Sequence, residues 1–278
     1  MKLSLFQRTA TVWKTSWKHL FSEGATEMLR LFRAELKKYL LEVKTYYPDQ
    51  IVDIVTKYIL FATFFYGFVH NAGNATNYSI GYMYWIIASG IISELSMSIS
   101  FEKQVGTIEQ LTIKPYPFWL ILTVKTYVVL LVTALKSLLL LALIRVTLPV
   151  SLAFNINLVW ILLVSVIGFT GIGLALSGLT MKFAKTASFE SIISYGLLFF
   201  SGAIIPFDKM PVTVQRILDV IPFTAGINAS QQSFNGSFHM LPVFLWLVVI
   251  NLVCFMIGYW IFNAIFRNVK TNGVLNNY

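Results

Sequence analysis

Long apolar stretches alternate with short polar segments along this chain. Six of the stretches approach the roughly 20 apolar residues that a helix needs to cross a hydrocarbon core about 30 Å thick. They lie at about 51–69, 78–100, 119–144, 156–180, 188–206 and 241–265. The pattern therefore predicts an all-α polytopic membrane protein with six transmembrane helices.

The first fifty residues are too polar to cross a membrane, yet their apolar positions recur with a helical period. One predicted helical face carries Leu29, Phe32, Leu36, Leu40 and Val43, and an earlier one carries Phe6, Ala10, Trp13, Trp17 and Leu20. Basic residues fill much of the remaining surface, which is typical of helices in the membrane interface. Packing against a soluble partner is the alternative. We expect two domains, a cytoplasmic amphipathic segment over 1–50 and a transmembrane domain over 51–278.

Composition agrees with this architecture. Hydrophobic residues make up 57% of the chain and charged residues 12%, whereas soluble domains carry about 25% charged residues. The net charge of +9 could suit nucleic acid, but the basic residues lie beside the apolar stretches, where the positive-inside rule and anionic lipid explain them. We therefore expect membrane lipid, and not nucleic acid, to be the partner of these charges.

Lysine and arginine also predict the orientation. Nine of them precede the first predicted span, Lys103 and Lys114 fall in the second connection, and Lys182 and Lys185 fall in the fourth. Cytoplasmic segments carry the excess of Lys and Arg. We therefore expect a multi-pass protein of the bacterial cytoplasmic membrane with both termini in the cytoplasm.

Several catalytic and binding motifs are absent from the sequence. It contains no G-x-x-x-x-G-K-[ST] loop for ATP, no G-x-S-x-G nucleophile elbow and no metal-ligand spacing around its three histidines. The glycine-rich run from Gly168 to Gly178 lies inside the fourth predicted span, where pairs of small residues permit close helix packing. We therefore expect neither an enzyme nor a metal site, and any energy source must lie outside this chain.

Two charged residues are predicted to lie inside the spans at similar depth. Glu94 and Lys125 each lie roughly 10 Å from the cytoplasmic ends of their helices at 1.5 Å per residue. We expect them to pair, either as part of the translocation path or as a structural pair. Lys136 has no evident partner and is expected nearer the outer interface, whereas Asp53 and Lys57 form a local helix pair.

A proline-rich segment over 206–236 separates the last two predicted spans. It contains Pro206, Pro211 and Pro222, and the apolar Phe223 follows the last of them. Non-helical backbone at membrane depth must be buried in protein or face a cavity. We therefore expect short re-entrant helices on the outer side, with these four residues at an outer gate. A solvent-exposed loop with two short helices is the alternative.

Two stretches of the chain resemble the permease subunits of ABC-2 type exporters. Glu102-Lys-Gln-Val-Gly-Thr-Ile-Glu-Gln-Leu111, with Pro115 after it, is similar to the family's cytoplasmic E…GT-[LI]-E-x-L…P segment between the second and third spans. Phe200-Ser-Gly-Ala-Ile-Ile-Pro-Phe-Asp-Lys-Met-Pro211 and Ile221-Pro-Phe-Thr224 are similar to the SG…P…P…P region after the fifth span. Six spans, cytoplasmic termini and an amphipathic amino-terminal helix also agree with the family.

The resemblance implies an ATP-driven exporter. Members pair as homodimers or heterodimers, and each permease binds a separate ATPase subunit on the cytoplasmic side. ATP and Mg²⁺ then belong to the ATPase, and no cofactor belongs to this chain. The translocation path is expected at the dimer interface, lined by the second and fifth spans. A secondary transporter or channel, with inverted repeats and broken helices, is the alternative, and a membrane anchor for a soluble complex is a third.

The resemblance also assigns the ATPase-coupling role to the segment 101–115. We expect a short helix that begins near Phe101, ends at Pro115 and binds a cleft on the ATPase. Its predicted contacts are Glu102, Val105, Gly106, Thr107, Ile108, Glu109, Gln110 and Leu111. In this interpretation Gly106 permits close approach of the backbone, and Val105, Ile108 and Leu111 fill an apolar pocket. A solvated connector between two spans is the alternative.

Overall fold

A computed structural model describes residues 24–69, 75–108, 110, 116–148, 155–183, 187–200, 211–234 and 240–271. The helices are α1 (Gly24–Thr45), α2 (Tyr47–Phe64) with a π-helical turn at Phe65–Val69, α3 (Ala75–Val105), α4 (Phe118–Thr147), α5 (Ile156–Lys182), α6 (Ala187–Phe200), α7 (Val212–Leu218), α8 (Pro222–Phe234) and α9 (Met240–Thr271). The predicted all-α class is confirmed for these residues. The chain divides into two compact units, residues 1–45 and residues 46–278.

In the first unit, α1 confirms the helix predicted from Leu29 to Val43. Glu27 lies in its first turn and Lys44 in its last turn, where the helix dipole favours a negative and a positive charge, respectively. Leu29 and Leu40, on the predicted apolar face, are both exposed. The earlier predicted stretch over residues 6–20 lies outside the described residues.

In the second unit, four helical segments are long and apolar enough to cross a membrane. They are Thr76–Val105, Phe118–Thr147, Ile156–Lys182 and Pro242–Val269, and they belong to α3, α4, α5 and α9. The second, third, fourth and sixth predicted spans are therefore confirmed as long apolar helices.

The other two predicted spans correspond to a more polar helix and a shorter one. α2 has 18 residues and carries Asp49, Asp53 and Lys57. α6 is apolar but has 14 residues, and the last part of the predicted fifth span, 201–206, lies outside the described residues. Helix length and hydropathy therefore do not confirm the count of six spans.

α5 and α9 run in the same direction, side by side. Asn251 of α9 lies against Gly168, and Phe262 lies against Gly178 further along both helices. Between these points, a Cβ atom on Gly171 would lie 2.6 Å from a carbonyl oxygen of α9, closer than packed atoms tolerate. The small residues of α5 therefore allow the two backbones to approach closely, as predicted for this run.

α3 also runs parallel to α5. The ring of Tyr84 packs against the ring of Phe169 at a centroid distance of 6.4 Å. Further along both helices, the hydroxyl oxygens of Ser96 and Thr180 are 2.5 Å apart. α3 and α5 therefore end on the same side of the bundle, which we call the Gly106 end because Gly106 follows α3.

α2 begins beside the middle of α4. Lys136 donates a hydrogen bond from Nζ to Oε1 of Gln50, and it lies roughly 27 Å along α4 from Phe118 at 1.5 Å per residue. At the far end of α4, the Tyr58 hydroxyl donates to Oγ1 of Thr147 at 2.8 Å. Lys136, for which the sequence shows no evident partner, therefore has one in the structure, because the amide oxygen of Gln50 accepts from its ammonium group.

α8 packs along the half of α5 that is opposite the Gly106 end. The side-chain amides of Asn155 and Asn157 donate to Oγ of Ser233 at 3.1 and 3.2 Å, whereas Pro222 lies against Gly168. α8 therefore follows α5 over roughly 20 Å, from the middle of α5 back to its first residues. Most side chains from residue 222 to residue 230 are buried.

Candidate functional site

The segment predicted to couple to an ATPase begins inside the last turns of α3. The helix continues to the residue before Gly106, which has a φ of 74°. The Gly106 N–H donates to the Lys103 carbonyl oxygen at 3.1 Å, and the Thr107 N–H donates to the Glu102 carbonyl oxygen at 2.9 Å. These two hydrogen bonds around a left-handed glycine form a Schellman ending. The predicted start near Phe101 is wrong, because no helix-breaking residue precedes Gly106 and Phe101 lies within α3. Beyond the turn, Ile108 and Gln110 are again helical, and the predicted end at Pro115 lies outside the described residues.

The side chains of this turn divide into a buried set and an exposed set. Glu102 is 8% exposed and accepts a hydrogen bond from the Thr107 hydroxyl. Ile108 is only 2% exposed, so these three predicted docking residues contact their own chain. Val105 is 56% exposed and Gln110 is also exposed. The surface that the described part of the turn offers to a partner therefore centres on Val105 and Gln110.

Gly106 has a conformational role within this chain. A Cβ atom built on it would meet no atom of the described residues within 4 Å. Its positive φ is therefore the property that the turn requires, because residues with a side chain rarely adopt it. Close approach of Gly106 to a partner stays a prediction, and the predicted contacts Glu109 and Leu111 lie outside the described residues.

Lys103 joins this turn to the last turn of α5. Its ammonium Nζ donates to the carbonyl oxygens of Thr180 and Met181 at 3.3 and 3.1 Å. The last four carbonyl groups of a helix have no partner within the helix, and a lysine can supply one. The sequence indicated Lys103 only as one of the basic residues that predict orientation. The available signal for this role was the position of Lys103 just after the second predicted span, on the side where the fourth predicted span also ends.

Glu94 and Lys125 form the predicted ion pair. Nζ of Lys125 lies 3.4 Å from Oε1 of Glu94, and the two side chains are 8% and 18% exposed, respectively. α4 runs antiparallel to α3 here, because Gly90 of α3 lies against Thr133 of α4. A buried charge is costly unless an opposite charge compensates it. The Glu94–Lys125 pair, which the sequence indicated, therefore compensates the two buried charges.

A second group of charged residues lies between α2 and α4. Nζ of Lys57 lies 2.8 Å from Oδ2 of Asp53, which confirms the predicted local pair, and Lys136 binds Gln50. Asp53 and Glu94 both act electrostatically on Lys136. Charges that the sequence presented as separate features are thus brought into one region by three helices.

Phe223, a predicted outer gate residue, belongs to the packed core. It is fully buried at the start of α8, and its ring centroid lies 6.4 Å from that of Tyr84 and 5.9 Å from that of Phe169. Pro222 is buried beside it. These two residues therefore hold α8 against α3 and α5, and a gating role for them stays a prediction.

An open groove of about 320 Å³ lies nearby between α8 and α9. Its polar side is formed by Asp219, Asn228 and Gln232, and its apolar side includes Pro242, Val243 and Trp246. Of the other predicted gate residues, Pro211 directly precedes α7 and Pro206 lies outside the described residues. The sequence did not indicate this groove, because it forms only when α8 folds back against α9.

The family of the chain follows from a comparison with models of known protein families. The model of the ABC-2 type transporter family matches residues 26–235, which is well over half of the chain. The chain belongs to the ABC-2 type transporter family. A search of the curated proteins finds no match. The family match confirms the resemblance based on the stretches 102–111 and 200–224.

The match covers most of the features of this ABC-2 permease that bear on its function. It includes the Gly106 turn, the charged residues of α2 to α4, and α8. Members of the family are membrane transport components and are not themselves catalytic. Within the described residues of this permease, no group of three or more His, Cys, Asp and Glu side chains could hold a metal ion.

Proposed function

We propose that this chain is the transmembrane permease subunit of an ATP-driven exporter. Separate ATPase subunits bind at the Gly106 end and bring ATP and Mg²⁺, while a second permease subunit completes the translocation path. The observation that carries the proposal is the Gly106 turn. It joins two long apolar helices, lies inside the family match and exposes Val105 and Gln110.

The distribution of basic residues supports a cytoplasmic Gly106 end. Lys103, Lys182 and Arg267 lie in or near the last turns of α3, α5 and α9 at this end. The opposite end of α4 carries Arg145. The excess of positive charge at the Gly106 end agrees with the positive-inside rule. We infer an orientation with both termini in the cytoplasm and with α1 in the cytoplasmic interface of a bacterial membrane.

The course of α6 supports a fifth crossing. α5 ends at the Gly106 end, whereas α8 packs along the opposite half of α5, so the chain between them must return. Along this return, the indole N–H of Trp85 donates to the Ser194 carbonyl oxygen at 3.0 Å, and the Phe199 ring lies 5.5 Å from that of Phe64. The chain then crosses the membrane six times only if α2, which begins beside the middle of α4, is also a crossing.

The position of α8 supports a re-entrant segment on the outer side. It starts beside Gly168, in the middle of α5, and ends beside Asn155 at the start of α5. Most of its side chains are buried, which satisfies the rule that a helix at membrane depth without a full crossing must pack in protein. The groove between α8 and α9 is then located where a substrate would leave towards the outer side.

We place the translocation path at an interface between two permeases, lined by α3 and α6. The rings of Trp85 and Tyr195 stack at 6.3 Å, so one subunit brings these two helices to the same place. α6 also exposes the apolar side chains of Phe189 and Ile192. A second permease subunit would cover this apolar face. Glu94 lies nine residues from Trp85, about 180° around α3, so its pair with Lys125 faces α4 instead.

Copurification with the P-loop ATPase encoded beside this chain tests the proposal. We expect the wild-type permease to retain that ATPase, and we expect Val105→Asp to reduce the amount retained by roughly tenfold, as for loss of an apolar contact at an interface. Val146→Asp is the matched control, because Val146 is 85% exposed at the opposite end of α4. Equal retention by the Val105→Asp and wild-type permeases would show that the Gly106 turn does not bind the ATPase. Transport that persists without any ATPase would instead indicate a secondary transporter.

A further inference from the structure

The last part of α3 is connected to α5 by three polar contacts. Two are the hydrogen bonds from Lys103 to the carbonyl oxygens of Thr180 and Met181. The third joins the hydroxyl groups of Ser96 and Thr180. All three lie in the last part of α5, so the carbonyl end of α5 is attached to the same helix that ends in the Gly106 turn.

The attachment continues from α5 to α9 through backbone contact. A Cβ atom on Gly171 would lie 2.7 Å from the Cα atom of Phe255, and one on Gly178 would lie 3.2 Å from the Cα atom of Phe262. Such close backbone contact leaves little freedom for one helix to slide on the other, because packed interiors deform little. α5 and α9 therefore behave as one packed pair beside the turn.

We propose that Lys103 is a positioning residue that makes the Gly106 turn, the end of α5 and α9 move as one body. A displacement of the turn is then transmitted to α5 and α9 as well as to the two helices, α3 and α4, that the turn connects. The source of that displacement rests on the proposed function, since it would be the bound ATPase. The attachment of Lys103 to α5 does not depend on any ATPase.

Protection of a cysteine at Met181 tests the attachment. Met181 is fully buried, so a cysteine in its place should react slowly with a water-soluble maleimide in native membranes. Lys103→Met keeps the length of the side chain but removes the donor. We expect it to raise the labelling rate by tenfold or more, because loss of either one of its two charge-assisted hydrogen bonds would by itself raise local opening by roughly tenfold. The chain that holds Cys254 alone gives the background.

Two matched variants separate this effect from a change in charge. Lys103→Arg keeps a cationic donor and should retain the slow rate. Lys182→Met removes a neighbouring exposed lysine and should also leave the rate low, although it lowers the local positive charge by the same amount as Lys103→Met. Equal rates in the Lys103→Met and Lys182→Met chains would overturn the proposal. If Lys103→Met does not accumulate in the membrane, Lys103→Leu, which also lacks a donor, should raise the labelling rate in the same way.

A second measurement tests the transmission of movement. With the ATPase bound, a cysteine at the exposed Phe183, just after α5, should change its labelling rate when a non-hydrolysable ATP analogue is added. Lys103→Met should abolish that change while the ATPase remains bound, and Lys103→Arg should preserve it. A nucleotide-dependent change that persists in Lys103→Met would refute transmission through Lys103. Failure of the wild-type permease to bind the ATPase would count against the proposed function, and the Met181 measurement would still decide the attachment.

Discussion

The two halves of α3 make contacts of different kinds. In the half far from Gly106, tyrosine and tryptophan rings pack against neighbouring rings, for example Tyr78 against Phe61 at 4.8 Å and Tyr84 against Phe169 at 6.4 Å. In the half near Gly106, aliphatic side chains such as Leu95 and Ile99 are buried, and polar contacts are added to them, which include the Glu94–Lys125 ion pair and the hydrogen bonds of Lys103.

This difference bears on how the two halves of α3 are held in place. Ring packing buries large apolar areas and tolerates little change in shape. Hydrogen bonds and ion pairs depend on direction and can be exchanged for contacts with a partner or with water. The half of α3 that ends in the proposed ATPase site therefore adds directional contacts, which fix its position relative to α4 and α5, to the packing of its apolar side chains.

The largest effect on stability is expected at the ion pair. Lys125→Met removes the ammonium group beside the buried Glu94 carboxylate, and we expect it to cost about 3 kcal/mol of stability, because a buried charge is left uncompensated. Glu94→Gln with Lys125→Met should recover most of that loss. Thermal unfolding of the purified permease and of the two single and one double variants measures the coupling. Additive losses would show that the two side chains do not stabilise one another.

The same set of variants decides between the two interpretations of Glu94. If Glu94 takes part in the translocation path, Glu94→Gln should reduce ATP-dependent transport in reconstituted vesicles by more than the loss of folded protein explains. Unchanged transport per folded molecule would assign Glu94 a structural role alone.

A smaller effect is expected in the ring-packed half, where α8 meets α3 and α5. A Cβ atom on Gly226 would lie 2.5 Å from Oγ of Ser165 and 2.8 Å from the Tyr84 ring. Gly226→Val should therefore cost about 2 kcal/mol through overpacking. Gly196→Val on α6 is the control, because no described atom lies within 4 Å of a Cβ there. Similar melting temperatures for these two variants would contradict the close packing of α8.

The smallest effect on stability is expected at Gly106. Gly106→Ala meets no steric contact among the described residues but must keep a φ of 74°, so it should cost about 1 kcal/mol. Gly67→Ala is the matched control, because Gly67 has equally open surroundings and no positive φ. ATPase binding should fall in Gly106→Ala and not in Gly67→Ala. An alanine at 106 that leaves both stability and binding unchanged would contradict a turn that requires glycine.

The sequence predicted the long helices well, because the bilayer sets their length and the apolar run reports it directly. It also predicted the Glu94–Lys125 pair, since depth along two antiparallel spans can be counted from their ends. It did not predict that Lys136 binds Gln50. That contact depends on how far α2 is displaced along α4, which no local pattern reports.

What the sequence by itself determined is the membrane class, four long apolar helices and, through two short motifs, the ABC-2 family. These properties depend on the chemistry of neighbouring residues or on motifs that are continuous in the chain. Only the tertiary structure decided that Gly106 ends α3 in a left-handed turn, that Lys103 binds the end of α5, and that α8 lies beside the opposite half of α5. Each of these depends on the relative placement of helices, which is determined by close packing and by the need of buried polar groups to find partners.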